Sequence, residues 1–306
     1  MTAATTGYLE VLEPGPLTLV EDLGRPGHAD IGVTSGGALD RGALRLANRL
    51  LGNDEGAAGL EILFGGFTAR LPADCWFAVT GAWGAITLDG TAVDPNIATA
   101  AGAGAVLRIG SATRGVRFYL AVRGGVASDA VLGSRSTDLL SSLGPAPVAA
   151  GDRLPLGIEA AGPIPLLDFI AVEPPGDPLI TVRAHPGPRS DWFTHDAVDA
   201  FFEREWAVSA ASNRIGTRLE PVRRAAHVAG RAPEPAVILE RRIAGELPSE
   251  PMVAGAVQVS PDGLPTVLLA DHPVTGGYPV IAVVADRSLD VFAQLRPGQR
   301  ILFRHA

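Results

Sequence analysis

"VQVSPDGLPTVLLADHPVTGGYPVIAVVAD", residues 257–286, decides how this chain is read. Short apolar runs at 257–259, 266–270 and 280–285 are separated by Ser-Pro-Asp-Gly and by Asp-His-Pro-Val-Thr-Gly-Gly-Tyr. Runs of that length, bounded by glycine and proline, read as buried strands rather than helices. Their near-continuous apolar character places them in a covered or closed sheet. Gln258, Asp262, Asp271, His272, Thr275 and Tyr278 gather at the ends of these runs, where a β barrel presents a site. The Thr275-Gly276-Gly277 turn offers bare main-chain amides, which suit a phosphate or carboxylate. A tight hairpin with no ligand is the other reading.

The same texture extends outward from this stretch. The 37 glycines and 25 prolines are spread along 306 residues and punctuate further strand candidates at 76–81, 105–110, 117–125 and 179–187. Helical periodicity stands out at 39–53, with Asp40 as cap, Gly52 as stop and Leu44, Ala47, Leu50 and Leu51 on one face. Asn48 is expected to face away from that stripe. A second helix is expected over 190–205 and a shorter one over 288–295. Prolines accumulate around 157–178. We therefore divide the chain into a β-rich domain over 1–160 with a helix near 39–52, a linker over 161–178, and a second β-rich domain over 179–306. The fold class is mainly β (α+β).

Composition narrows the function. With 47% apolar and 19% charged residues the chain is globular, and a net charge of −8 argues against general nucleic-acid binding. All 25 basic residues are arginines; there is no lysine. That excludes Schiff-base chemistry and the usual Gly-x-x-x-x-Gly-Lys phosphate loop, and leaves anion binding to guanidinium groups and main-chain amides. The single Cys75, set between apolar residues, reads as a buried structural thiol. The scattered histidines lack ligand spacing, so no metal site is expected, and no Gly-x-Ser-x-Gly elbow occurs. No leader or membrane-length apolar run is evident, so no membrane partner and a cytoplasmic location are expected.

Several polar patches could carry chemistry. Residues 20–37, "VEDLGRPGHADIGVTSGG", place Asp22, Arg25, His28, Asp30, Thr34 and Ser35 among five glycines. This is a binding loop or a solvated connection stapled by an Asp–Arg pair. Glu61, inside the apolar "LEILFGG", is either paired with an arginine or functional, and pairing with an N-terminal arginine is favoured. "GSRSTD" (133–138) reads as a capped turn. In "SNRIGTRLEP" (212–221), Arg214 and Arg218 lie four apart with Asn213 beside them and only Glu220 as a nearby acid. They form an anion site or a solvated pair on a turn.

In order along the chain, "DLGRPG", "ANRLLGN", "LEILFGG", "YLAVRGG", "VLGSRST", "SNRIGTRL", "DG-LP" and "TGGYPVIA" resemble a carboxyltransferase-like family. Its members are known as the C-type subunit of 5-oxoprolinase, kinase A inhibitor antagonist or allophanate hydrolase subunit 2. The motifs are also similar to one half of the carboxyltransferase region of urea carboxylase. The resemblance spans about residues 9–304. It implies a cyclophilin-like barrel in the C-terminal half. It further implies a heteromeric assembly with a kinase-inhibitor-like protein, the B-type partner, and with a third chain, the A-type partner. Members commonly read Ser-Gly-Ala where this chain has Gly36-Gly37-Ala38, and Gln-x-Pro where it has Gln258-Val259-Ser260.

The implied activity is ATP-dependent cleavage of 5-oxo-L-proline, with magnesium as the counter-ion of ATP and no covalently attached biotin. On that reading Arg214, Asp271 and Tyr278 are the catalytic candidates. Arg214 and Arg218 would clamp a phosphate or carboxylate, Asp271 would orient water or magnesium, and Tyr278 would donate to an oxyanion. Gly276 and Gly277 would form the amide cradle, with Thr275, Asn213, Gln258, Asp22 and Arg25 as further binding residues. A urea-directed carboxyltransferase unit served by a separate biotin carrier, and a non-catalytic binder of a kinase inhibitor, are the alternatives.

Overall fold

The computed structural model describes residues 7–72, 74–158, 162–166, 171–222 and 238–306. The chain divides into two units: one comprises residues up to Ile31 together with Ser35–Gly176, the other Gly32–Thr34 together with Asp177–Ala306. The second unit thus includes a three-residue piece of the N-terminal sequence, whose Thr34 Oγ1 donates to the Ala270 carbonyl at 3.0 Å. Local patterning did not foretell that assignment. Part of the expected linker, residues 161 and 167–170, lies outside the described residues.

The first unit is built from β1 (Gly7–Pro14), β2 (Leu17–Glu21), α1 (Arg41–Leu50), β3 (Gly59–Leu63), β4 (Phe67–Arg70), β5 (Cys75–Leu88), β6 (Thr91–Ala92), β7 (Thr99–Ala101), β8 (Val106–Val122) and β9 (Arg153–Leu156). Its strands form one nine-stranded sheet along the path β2-β3-β8-β4-β1-β9, with β5, β6 and β7 attached through β8. The strand candidates at 105–110 and 117–125 are one strand of 17 residues. Glycine bends this ribbon instead of ending it. The β5–β8 register shifts around Gly81, Trp83 and Gly84, and a Cβ on Gly84 would meet the Ser111 carbonyl at 2.6 Å.

Leu9, Val11, Phe67, Phe77, Leu107 and Phe118 make the centre of the core. Cys75 is buried, as expected.

Helix α1 begins as its sequence predicts. The Asp40 carboxylate accepts from Ala43 N at 2.8 Å, a cap that contributes about 1 kcal/mol. Ala47, Leu50 and Leu51 pack on Ala78 and Ala121 of the sheet. Asn48 does not point to solvent. It is fully buried, donates to the Ala57 carbonyl at 2.8 Å and accepts from Asn53, tying the helix end to the following loop. Just before the helix, Glu61 is paired with Arg117 at 3.2 Å and also accepts from Tyr119 Oη at 2.8 Å and Leu39 N at 3.0 Å. Tyr119 Oη in turn accepts from Asp40 N. Burial, then the neighbouring Glu61 charge, raises the Tyr119 pKa well above its ordinary 10.0.

The second unit contains β10 (Leu179–Pro186), α2 (His195–Glu203), β11 (Glu205–Val208), β12 (Gly216–Pro221), β13 (Glu250–Pro251), β14 (Ala256–Val259), β15 (Pro265–Leu268), β16 (Thr275–Gly276), β17 (Val280–Val284) and β18 (Arg300–His305). Seven of these strands close a barrel in the order β10-β17-β14-β15-β12-β11-β18, while β13 and β16 form a separate ribbon. Closure removes exposed sheet edges, which explains the continuous apolar runs of the opening stretch. Trp206, Phe201 and Phe303 are fully buried, with the Phe201 and Phe303 rings stacked at 4.5 Å. The helix expected at 288–295 is instead a pair of 3₁₀ turns, Asp286–Ser288 and Asp290–Gln294.

Candidate functional site

Two polar clusters emerge, one in each unit. In the C-terminal unit, the turn before β12 is closed by the Asn213 side chain, whose Oδ1 accepts from Ile215 N at 2.9 Å and Gly216 N at 3.2 Å. Main-chain bonds from Leu269 N to Ile215 O and from Asp271 N to Arg214 O join this turn to the loop after β15. Across that join, Arg214 binds Asp271 bidentately, with Nε to Oδ2 at 2.8 Å and Nη2 to Oδ1 at 2.9 Å. Both residues are buried, Arg214 at 4% exposure and Asp271 at 0%.

This corrects two expectations. The guanidinium edge formed by Nε and Nη2, the one suited to a bidentate clamp, is taken up by Asp271, and each oxygen of Asp271 is in turn bonded to Arg214. The acid that Arg214 was expected to lack lies 57 residues away in sequence. The pair acts as a brace: breaking one such pair costs about 3–5 kcal/mol because the other charge stays buried.

Arg218 does not join Arg214. Strand alternation buries Thr217 and Leu219 and turns Arg218 and Glu220 outward. The charge of Arg218 reaches Asp262, whose carboxyl is held below its ordinary value first by the Ser260 hydroxyl and, to a smaller degree, by Arg218.

The amide cradle is also corrected. Met252 N donates to Val274 O at 2.8 Å, and Glu250 faces Gly276 one narrow pair further along the same antiparallel ladder. By the alternation of such ladders, the Gly276 amide is used in sheet pairing. Neither Gly276 nor Gly277 has positive φ, so the hand alternation of an anion-binding nest is absent here. Gly276 is required for another reason: a Cβ there would lie 2.4 Å from Gln258 Nε2. Gln258 is nearly buried, and its Nε2 makes long contacts to Met252 Sδ at 3.3 Å and Tyr278 O at 3.4 Å.

What remains open at this rim is Thr275, Gly277 and Tyr278, all exposed, with Tyr278 45% accessible. His272, which the sequence placed in the patch but which was not among the expected site residues, is the group that reasoning missed. It is 7% exposed, and its Nδ1 lies 2.8 Å from the Pro273 carbonyl. A carbonyl only accepts, so this contact calls for a proton on Nδ1; in the neutral ring Nε2 then carries the lone pair.

In the N-terminal unit, Asp22 and Arg25 are both buried, and they do not pair. The Asp22 carboxylate accepts from Gly24 N at 2.7 Å and, at 2.6 Å each, from Ser134 Oγ, Ser136 Oγ and Arg135 N. Asp22 therefore organises the 133–137 turn. Arg25 donates Nε to Val131 O at 3.3 Å and Nη2 to Ser136 O. Its Nη1 is buried without a hydrogen-bond acceptor. The same unit carries a groove of about 630 Å³ lined chiefly by Leu50, Trp76, Ile97, Ala98 and the 162–166 segment. Its charged residue, Arg123, donates to the Gly162 carbonyl.

A mainly β chain of two units, one of them a closed barrel with its polar groups on rim loops, is the architecture of a carboxyltransferase-type domain. Residues 31–305 match the family model described as "Carboxyltransferase domain, subdomain A and B", and the chain belongs to that family. It is 38% identical over 304 residues to the C-type subunit of 5-oxoprolinase from Escherichia coli (strain K12), covering 96% of this chain and 90% of that one. The corresponding C-type subunit from Haemophilus influenzae is 32% identical with the same coverages.

Among solved structures, TTHA0988 superposes with a TM-score of 0.83 at 34% identity, and the Kluyveromyces lactis urea amidolyase with 0.84 at 28%. This chain spans 56% of the former and 19% of the latter while 99% and 98% of it are covered. No helix among the described residues is long and apolar enough to cross a membrane.

Proposed function

We propose that the chain is the C-type component of a heteromeric, ATP-dependent 5-oxoprolinase that works with a kinase-inhibitor-like B-type partner and a third, A-type partner. The observation that carries this reading is the match in length. The chain spans 90% of the two bacterial 5-oxoprolinase relatives but only 17% of the Lachancea kluyveri urea amidolyase.

The lactam carbonyl of 5-oxo-L-proline is resonance-stabilised and resists water. Transfer of the terminal phosphoryl group of ATP to the lactam oxygen releases ADP and makes the carbon electrophilic. Water then adds, the C–N bond breaks with the nitrogen leaving as the amine, and the resulting acyl phosphate is hydrolysed by a second water. L-glutamate and phosphate are the products.

This chemistry needs a donor for the developing oxyanion and an acceptor for the proton of water. The Tyr278 hydroxyl and His272 Nε2 are the rim groups suited to those two roles, with the Gln258 amide and Thr275 beside them. Among the described residues no group of three His, Cys, Asp or Glu side chains is placed to hold a metal, and Asp271 is engaged by Arg214. A magnesium counter-ion would therefore be held chiefly by the phosphates of ATP, and none of the steps assigned to the chain's own residues uses it.

The test is to combine this chain with its purified A-type and B-type partners and follow ADP and glutamate. ADP release dependent on 5-oxo-L-proline is expected. Release dependent instead on urea and a biotinylated carrier would establish the second reading, a urea-directed carboxyltransferase, which the superposition on urea amidolyase favours.

A further inference from the structure

The segments 22–25, 35–37 and 131–144 of the first unit surround a positive charge that forms no ion pair among the described residues. Arg25 is 1% exposed, and no described carboxylate approaches it within ion-pair distance. The acid nearest in sequence, Asp22, has its oxygens taken by Gly24 N, Ser134 Oγ, Ser136 Oγ and Arg135 N. Two nitrogens of the guanidinium are spent on the carbonyls of Val131 and Ser136, and Nη1 has no acceptor. A buried guanidinium in that condition is costly unless something negative meets it.

The nitrogen borders a small space made by the missing side chain of Gly36. A Cβ built on Gly36 would have Arg25 Nη1, at 3.6 Å, as its sole non-adjacent neighbour within 4 Å. Gly36 is itself buried, so the space over it is a small enclosed one with the free nitrogen on its wall. Gly36 and Gly37, at φ 60° and 89°, form the turn that covers it. On the far side, a Cβ at Gly144 would come within 2.1 Å of Ser136 O and 3.4 Å of Arg25 Nη2, so glycine there lets Ser136 hold the guanidinium in place. Arg135 Nε and Thr137 Oγ1, on the same loop pair, are likewise buried without hydrogen-bond partners. Asp138 Oδ2, on the same loop, is a buried acceptor also left without a partner, so it is the charge of the Arg25 guanidinium, and not a general surplus of donors, that calls for an anion.

We propose that Arg25 Nη1, lying beside Gly36, receives one oxygen of a small anionic group, a carboxylate or a phosphate. The hydrogen bond so formed is charge-assisted and lies in a low-dielectric setting, where such bonds are strong. The site goes beyond the function proposed above, and its test needs neither partner chains nor turnover.

The experiment titrates the full chain with inorganic phosphate and, separately, with acetate, chloride being adjusted to hold ionic strength constant. Thermal unfolding and calorimetry are the readouts. A saturable rise in unfolding midpoint with at least one anion is expected, since a ligand that binds only the folded state stabilises it by mass action. Saturation by phosphate alone assigns a phosphoryl group, by acetate alone a carboxylate; either supports the site.

Arg25→Gln should abolish the effect. Gly36→Ser, whose hydroxyl reaches Nη1, should weaken binding at least tenfold with an unchanged circular dichroism spectrum. Without added anion, Gly36→Ser should unfold at a higher midpoint than Gly36→Ala, which carries the same backbone cost but no acceptor. Absence of saturable stabilisation in the parent chain would overturn the proposal, as would equal anion affinity in Gly36→Ser, the variant that decides if Arg25→Gln fails to fold.

Discussion

Arg214 and Arg25 are both buried arginines on loops that close a β unit, yet their charges have opposite fates. Arg214, at 4% exposure, meets a carboxylate along the edge of its guanidinium. Arg25, at 1%, meets carbonyl oxygens and keeps one nitrogen without an acceptor. The first arrangement fixes a backbone join and neutralises the charge that a ligand would need. The second leaves a directed positive charge. Burial alone therefore does not distinguish a structural arginine from a receptor; the count of acceptors around it does.

The largest expected effect breaks the first half of this contrast. Arg214→Ala should lower unfolding free energy by about 3–5 kcal/mol, because Asp271 is left charged and buried. Replacing both, as Arg214→Met with Asp271→Leu, should restore most of that loss in denaturant unfolding. Equal instability of the single and double variants would show that the pair is not a brace.

Next in size is the cluster beneath α1. Tyr119→Phe removes the bond to Glu61 and the acceptor for Asp40 N, at a cost of about 1–3 kcal/mol. The sign of its pH dependence follows from the raised pKa. The neutral phenol is favoured in the folded state, so its contribution is complete below the ordinary value of 10.0 and is lost as pH rises beyond it. Denaturant midpoints measured through the alkaline range should fall more steeply for the parent chain than for Tyr119→Phe.

At the barrel rim, Tyr278→Phe should cut 5-oxo-L-proline-dependent ADP release by about tenfold or more in the assembled enzyme. Its stability should stay within about 0.5 kcal/mol of the parent chain, as for an exposed substitution. Unchanged turnover would take the hydroxyl out of the reaction.

The smallest effect concerns Asp262. Its carboxyl is held below the ordinary 3.8 by the Ser260 hydroxyl and in part by Arg218. That contribution is present above 3.8 and lost as pH falls through the depressed value. Removing it with Asp262→Asn should slightly flatten the acid side of the stability profile.

Much of the fold was legible in the sequence, since apolar runs between glycine and proline mark strands wherever burial is symmetrical. The barrel strands at 257–286 and the cap at Asp40 are of this kind. The 17-residue β8 was not, because a glycine that bends a strand resembles one that ends it. Glu61 does pair with an arginine, but it is Arg117 on the adjacent strand β8 and not one from the N-terminal stretch, because the partner is set by sheet pairing.

The site was harder to read, because its pairings are set by tertiary contact and not by spacing. Arg214 takes an acid 57 residues away in preference to Glu220 six residues away, and Asp22 passes over Arg25 for serines 112 and 114 residues downstream. His272 was visible as a residue type. Its fixed tautomer depends on a carbonyl one residue along, and only the folded turn brings that within reach.

Nitrogen-15 spectra of the arginine side chains, recorded while inorganic phosphate or acetate is added and assigned with the Arg25 and Arg214 variants, test the contrast most directly. Resonances of Arg25 should shift saturably with at least one anion while those of Arg214 stay fixed in their ion pair. Movement of Arg214, or a silent Arg25 with both anions, would contradict the account.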